Sequence, residues 1–167
     1  MNNPQAILDA VRLARQFFHE GHRTWARPMV NLLEGIQSRL SLRWAVLVYQ
    51  QSISTRCNSS SGSQLREWLD DLAVLIDRDD VADHCDRVAH EAWRNDPTVN
   101  LVERGIARLY WSLANQLNGH IQDYYMQVAA AVGMLSDNEN SADAMDEATL
   151  ELAVDLFLCF VKNTDKK

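Results

Sequence analysis

Glycine and proline are scarce in this sequence. Its 167 residues include six glycines and three prolines, which is too few for the many tight turns of a β-sandwich or β-barrel. The same scarcity excludes collagen-like chains and Pro/Gly-rich low-complexity chains. Because 47% of the residues are hydrophobic, a chain of this length can bury a large core without disulfides or metal ions. We therefore expect a single helical domain that covers 1–167.

The sequence also lacks long apolar runs and closely spaced cysteines. Its longest apolar runs, 44–49, 128–135 and 156–161, fall far short of the ~18 residues that a membrane-spanning helix needs. No basic segment follows Met1, and charged residues interrupt the stretch where a secretory signal would be apolar. The three cysteines form no CxxC pair, as is typical of reduced thiols. We expect a cytoplasmic protein with no membrane contact and no cofactor.

Apolar residues recur at helical spacing along most of the chain. The segments with this spacing are about 4–19, 24–38, 65–76, 81–92, 102–117, 121–135 and 142–162. The segments 65–76 and 81–92 are expected to form a helical hairpin. Segment 121–135 is either a separate helix or a continuation of 102–117 that bends at Gly119. The pattern predicts an all-α fold, a single compact helical bundle of about seven helices.

The segment 42–51 fits two secondary structures. Its β-branched and aromatic residues are typical of a buried strand, but Trp44 and Val48 also lie on one face of a helix. Helix is preferred because a lone strand would have no partner strand. The Ser-rich composition of 58–63 predicts a mobile loop, and 163–167 is expected to be a flexible tail.

Charge is distributed unevenly along the chain. Residues 1–57 carry a formal charge of +4 and residues 58–167 carry −11, within a total of −7. One interpretation is that the first segment binds an anionic partner or the second binds a cationic partner. The other is that the two segments pack together and neutralise each other.

Three groups of side chains are candidates for binding a partner. A basic group on and after the first helix would meet an anionic surface, and it comprises Arg12, Arg15, His19 and Arg23. An acidic group on the expected hairpin would steer a cationic partner, and it comprises Asp79, Asp83 and Asp86. The third group combines the residue types most enriched at interface hot spots, and it comprises Arg104, Arg108 and Trp111. Alternatively, Trp111 belongs to the core.

Paired carboxylates suggest a metal site as a second possibility. Glu67 and Asp70 lie three residues apart on one helix, as do Asp83 and Asp86 on the next. This spacing resembles the acidic motifs of the all-α nucleotide pyrophosphohydrolases related to MazG, although that family usually has glutamate where aspartate stands here. The resemblance implies a Mg²⁺-dependent nucleotide hydrolase. However, these carboxylates point away from the apolar stripes, as on a solvated helix face.

An arginine–histidine pair suggests a nuclease as a third possibility. The spacing from Arg78 to His84 resembles the signature of helical RNases of the HEPN type. Such chemistry needs an imidazole and a guanidinium beside the scissile phosphate. His84 also fits the simpler role of a residue at the border of the apolar stripe.

The sequence as a whole favours a non-enzymatic interaction protein. It has no Gly-rich phosphate loop, nucleophile elbow or zinc-binding pattern. A pI near 5.1 disfavours nucleic acid as a partner. We therefore expect a protein partner or self-association, of the kind made by an adaptor, a regulator or a toxin-neutralising protein, through charged helical faces. The carboxylate-dependent hydrolase and the Arg/His RNase remain the alternatives.

Overall fold

The computed structural model describes residues 3–56, 61–94, 101–136 and 147–165. Within these ranges the chain forms eight α-helices and no strand, so the predicted all-α bundle is confirmed. The helices are α1 (Pro4–His19), α2 (Arg27–Ile36), α3 (Leu40–Arg56), α4 (Ser61–Leu75), α5 (Ala82–Arg94), α6 (Leu101–Leu117), α7 (Ile121–Leu135) and α8 (Glu147–Asp165). Among the described residues, no helix is both long enough and apolar enough to cross a membrane.

Helix α3 lies at the centre of the bundle. It packs against α2, α4, α6, α7 and α8, and its Trp44 and Tyr49 are completely buried. The Trp44 indole donates a 2.9 Å hydrogen bond to the carbonyl of Ala153 on α8, and the Tyr49 hydroxyl donates to the carbonyl of Ala131 on α7. Segment 42–51 is therefore helical, and its apolar residues point in all directions because other helices surround it.

Two antiparallel helix pairs place α6 between α5 and α7. Helices α6 and α7 are separate and meet at a tight turn, where Gly119 adopts a φ of +81°, a conformation that glycine adopts without steric cost. Helix α5 makes its extensive contacts with α6. The expectation of a packed hairpin between 65–76 and 81–92 was wrong, because α4 packs mainly against α3 and α6. A short turn at 76–81 still joins α4 to α5.

A polar network joins two turns of the bundle to α6 and α7. The Glu34 carboxylate accepts hydrogen bonds from the backbone N–H groups of Arg39 and Ser41, at 3.0 and 2.9 Å, and so caps the first turn of α3. The buried Tyr124 hydroxyl donates to the same carboxylate at 2.8 Å. The Arg39 guanidinium donates to Gln116 at 2.9 Å and to the carbonyl of Ile76 at 2.8 Å. Arg39 therefore ties the α2–α3 turn to the α4–α5 turn and to α6.

The start of α4 and the end of α8 extend into segments that were expected to be a loop and a tail. Residues 61–63 of the Ser-rich segment belong to α4, and residues 57–60 lie outside the described residues. Helix α8 continues to Asp165, so residues 163–165 of the expected flexible tail are helical. The expected start of this helix, at 142–146, lies outside the described residues.

Candidate functional site

Ion pairs connect the basic first third of the chain to the acidic remainder. Arg39 binds Asp79 at 2.6 Å on the α4–α5 turn, and the same turn contributes Asp77 to a pair with Arg43. Arg15 on α1 binds Glu151 on α8. These pairs support the interpretation that the two oppositely charged segments neutralise each other.

The basic group of the first helix is engaged within the protein. Arg12 pairs with Asp9 of its own helix at 3.2 Å, and His19 Nδ1 lies 3.8 Å from a Glu147 carboxylate oxygen. The hydrogen-bonded pair with Glu151 raises the pKa of Arg15 and lowers the pKa of the glutamate. Arg23 also has an interaction within the chain. This surface therefore carries paired charges rather than a set of free cations.

The acidic group is divided among different contacts. Asp79 binds the Arg39 guanidinium, and Asp86 accepts a 3.1 Å hydrogen bond from the Trp111 indole of α6. Asp83 is exposed. Two of the three carboxylates are therefore engaged in contacts within the protein.

The four carboxylates of the suggested metal site face different neighbours. Asp70 accepts a 3.0 Å hydrogen bond from Gln50 on α3, whereas Asp86 faces α6. Glu67 and Asp83 are exposed. Within the ranges that the structure describes, no group of three His, Cys, Asp or Glu residues is placed to hold a metal ion.

The arginine and histidine of the suggested nuclease motif also have separate partners. Arg78 donates to Asp80 at 3.1 and 3.0 Å, and this contact lowers the pKa of the aspartate. His84 Nε2 lies 3.5 Å from Asp71, which accepts a 2.9 Å hydrogen bond from the buried Tyr110 hydroxyl. The two motif residues thus have different carboxylate partners, and each partner belongs to the local packing of a helix or turn.

Cys85, next to this histidine, has the properties of a core residue. Its side chain is completely buried, and burial, together with the nearby Asp71 charge, raises the pKa of the thiol to about 12. Burial and the same carboxylate raise the pKa of Tyr110. Because the thiolate is the reactive form of cysteine, Cys85 is unsuited to act as a nucleophile at neutral pH.

The third candidate group forms a compact cluster with one tryptophan that the sequence analysis missed. Trp93 of α5 lies 5.5 Å from Trp111, measured between ring centroids. The guanidinium carbons of Arg104 and Arg108 lie 5.0 and 5.6 Å from the centroid of the Trp93 ring. We call Trp93, Arg104, Arg108 and Trp111 the Trp–Arg cluster. All four side chains are partly exposed, so part of each remains accessible at the surface.

The two cluster arginines differ from the paired arginines elsewhere. The Nε atoms of Arg104 and Arg108 are covered and have no hydrogen-bond partner among the described residues. Arg108 donates from a terminal nitrogen to Gln127 of α7 at 3.1 Å. Neither arginine forms an ion pair with a carboxylate within the described part of the chain. The cluster thus presents two positive charges within cation–π distance of one tryptophan ring.

Aromatic and polar contacts fix the second tryptophan of the cluster. His90 packs against Trp111 edge to face, with ring centroids 5.4 Å apart, and Asp86 accepts the indole hydrogen bond.

Comparisons with protein-family models, with curated proteins and with solved structures give no match to the chain. The function is therefore inferred from the geometry of the Trp–Arg cluster and its surroundings.

Proposed function

We propose that this chain is a non-enzymatic cytoplasmic interaction protein that binds a protein partner through α5 and α6. The docking face is the exposed surface of these two helices around the Trp–Arg cluster. The observation that carries the proposal is the placement of two arginines over a partly exposed tryptophan, beside a second tryptophan. Tryptophan and arginine are the residue types most enriched among the side chains that dominate binding energy.

The geometry of the docking face favours binding because its large side chains are already ordered. Trp111 is held by the hydrogen bond to Asp86 and by the edge-to-face contact with His90. Trp93 is held between Trp111 and the two arginines. Side chains that are ordered before binding lose less conformational entropy on association, by about 0.5–1.5 kcal/mol for each one.

The non-enzymatic part of the proposal is supported by the contacts of the reactive side chains. The hydroxyls of Tyr49, Tyr110 and Tyr124 are hydrogen-bonded inside the bundle, and burial raises the pKa of each. A tyrosine in this state stabilises the helices that it connects and does not supply a base near neutral pH. The free thiols of Cys85 and Cys159 are compatible with a reducing compartment.

Affinity capture with three forms of the chain tests the proposal. The baits are the wild type, a Trp111→Leu variant and a control variant, Leu8→Ser. Leucine keeps an apolar side chain beside Trp93 but removes the indole, and Leu8 is 62% exposed on α1, which packs against α2 and α8. We expect the wild type and Leu8→Ser to retain the same partner and Trp111→Leu to lose it.

Two results of this capture would overturn the proposal. One is equal recovery of the partner by all three baits, since the docking face would then be irrelevant to binding. The other is the absence of any stoichiometric partner from a native lysate at physiological salt. Circular dichroism and the melting temperature of each bait show that a lost partner does not reflect an unfolded variant.

A further inference from the structure

We infer that the partner binds the Trp–Arg cluster with carboxylate side chains, presented one helical turn apart on an acidic helix. The inference rests on the proposed function and names the chemistry of the partner. It follows from the positive charges of Arg104 and Arg108. Within the described part of the chain, neither arginine pairs with a carboxylate. By contrast, Arg15, Arg39 and Arg43 each bind one.

The spacing of the two arginines defines the spacing of the expected carboxylates. Residues four apart on a helix have Cβ atoms about 5–6 Å apart, and like charges at this spacing repel. Arg104 and Arg108 stand in this relation and share one aromatic ring. Two carboxylates on a partner helix, also four residues apart, would face the two guanidinium groups and remove the repulsion.

The contacts with Trp93 leave the terminal guanidinium nitrogens to bind a ligand, although one terminal nitrogen of Arg108 also donates to Gln127. Both guanidinium carbons lie over the Trp93 ring within cation–π distance, and the covered Nε atoms cannot reach a ligand. The terminal nitrogens form the edge that binds a carboxylate with two parallel hydrogen bonds. Because the contact with Trp93 already restricts each guanidinium group, less entropy is lost when such bonds form.

The surrounding charges favour a protein carboxylate over a nucleic acid. Nucleic acids bind extended basic surfaces, with affinity that grows with the number of neutralised phosphates. Here the positive charge comes from two arginines, Asp86 lies directly beside Trp111, and the chain carries a net charge of −7. A discrete acidic helix fits a small cationic site bordered by a carboxylate better than a polyanion does.

Nuclear magnetic resonance with defined peptides tests the inference. The probe is a synthetic alanine-based helix with two glutamates four residues apart, and the control peptide has glutamine at both positions. We expect the glutamate peptide to shift the indole N–H signals of Trp93 and Trp111 saturably, and to bind at least tenfold more tightly than the control peptide. This comparison uses the wild-type chain, so it does not depend on the folding of any variant.

Arginine variants then assign the binding to the cluster. The double variant Arg104→Gln/Arg108→Gln should lose the difference between the two peptides, whereas the control variant Arg12→Gln should keep it. The double variant to lysine keeps both charges but loses the planar guanidinium edge, so intermediate affinity is expected. Binding should also weaken as ionic strength rises.

Several results would overturn the inference. Equal binding of the glutamate and glutamine peptides would do so, as would a glutamate peptide that shifts neither indole signal at millimolar concentration. Tighter binding of a single-stranded oligonucleotide than of the glutamate peptide would assign the cluster to nucleic acid instead.

Capture with the arginine double variant separates the inference from the proposed function. If the partner is lost with Trp111→Leu but retained with Arg104→Gln/Arg108→Gln, the docking face stands and the carboxylate inference is wrong. If the partner is retained with both variants, the docking face and the inference fail together. Loss with both variants supports both.

Discussion

Gly133 is the position at which a single added carbon tests the packing of the bundle most sharply. A Cβ atom at this position of α7 would overlap the backbone carbonyl oxygen of Arg23 and would lie 3.0 Å from its carbonyl carbon. Gly35 on α2 provides the matched control, since a Cβ atom there would meet nothing within 4 Å. Both glycines are helical, so the two Gly→Ala substitutions differ mainly in this steric contact.

The expected free-energy changes have opposite signs. Replacing a glycine inside a helix with alanine stabilises a protein by about 0.5–1 kcal/mol when there is room for the methyl group. Overpacking costs about 1–3 kcal/mol, and the upper end applies at Gly133 because the obstacle is backbone. The higher helix propensity of alanine offsets up to about 1 kcal/mol of this cost. We expect Gly35→Ala to raise the free energy of unfolding by up to about 1 kcal/mol and Gly133→Ala to lower it by about 2 kcal/mol.

Urea denaturation followed by circular dichroism measures both changes. For a chain of this size, the loss at Gly133 corresponds to a fall in melting temperature of about 4–8 °C. The slope of the free energy against urea should be unchanged, since the surface exposed on unfolding stays the same. If Gly133→Ala were as stable as Gly35→Ala, the close approach of α7 to the 22–25 segment would be refuted.

Three further perturbations test other contacts. Both Arg39→Gly and Arg39→Ala should lower the free energy of unfolding measured in urea. The glycine variant should lose about 1 kcal/mol less, because Arg39 has a φ of 66° that only glycine adopts without strain. Equal losses would contradict this expectation. A double-mutant cycle of Arg15→Gln and Glu151→Gln should give a coupling below about 1 kcal/mol for this exposed pair. Because the pKa of Glu151 is lowered from 4.5, the coupling should be complete above that pH and vanish as pH falls through the lowered value; coupling that persists in acid would contradict the pairing. Alkylation at pH 8 followed by peptide mapping should label the exposed Cys159. Cys85, whose pKa is raised to about 12, should be labelled only after the protein unfolds. Rapid labelling of Cys85 in the native protein would contradict its burial.

The all-α architecture was predictable because most helices are amphipathic. Their apolar stripes record which face each helix buries, and this information is local in the sequence. The central helix α3 is the exception, since Trp44 and Tyr49 are buried together with neighbours on every side. A helix that is apolar all round has no stripe, so its sequence pattern resembles that of a buried strand.

The choice of packing partners was harder to predict than the helices themselves. Local periodicity shows that α5 buries one face but does not specify whether α4 or α6 covers it. The short turn between α4 and α5 favoured pairing α5 with the preceding helix, which does not place Trp93 beside Arg104, Arg108 and Trp111. The antiparallel packing of α5 on α6 brings these four residues together, which is a tertiary property of the chain.

The charge pattern alone left two uses open, binding of a charged partner and neutralisation within the fold, and the ion pairs support neutralisation. Arg15, Arg39 and Arg43 contact carboxylates of the acidic remainder, so these three positive charges of the basic segment are paired within the fold. Sequence position alone could not separate these arginines from Arg104 and Arg108, because ion pairing depends on which helices meet.

Photo-crosslinking from the docking face is the most direct test of the proposed binding surface. A photoreactive phenylalanine analogue would replace His90, an exposed residue that packs against Trp111, and would replace Leu8 on α1 in a control. We expect a protein partner to crosslink from position 90 and not from position 8. Crosslinking from position 8 alone, or from neither position, would contradict a docking face on α5 and α6.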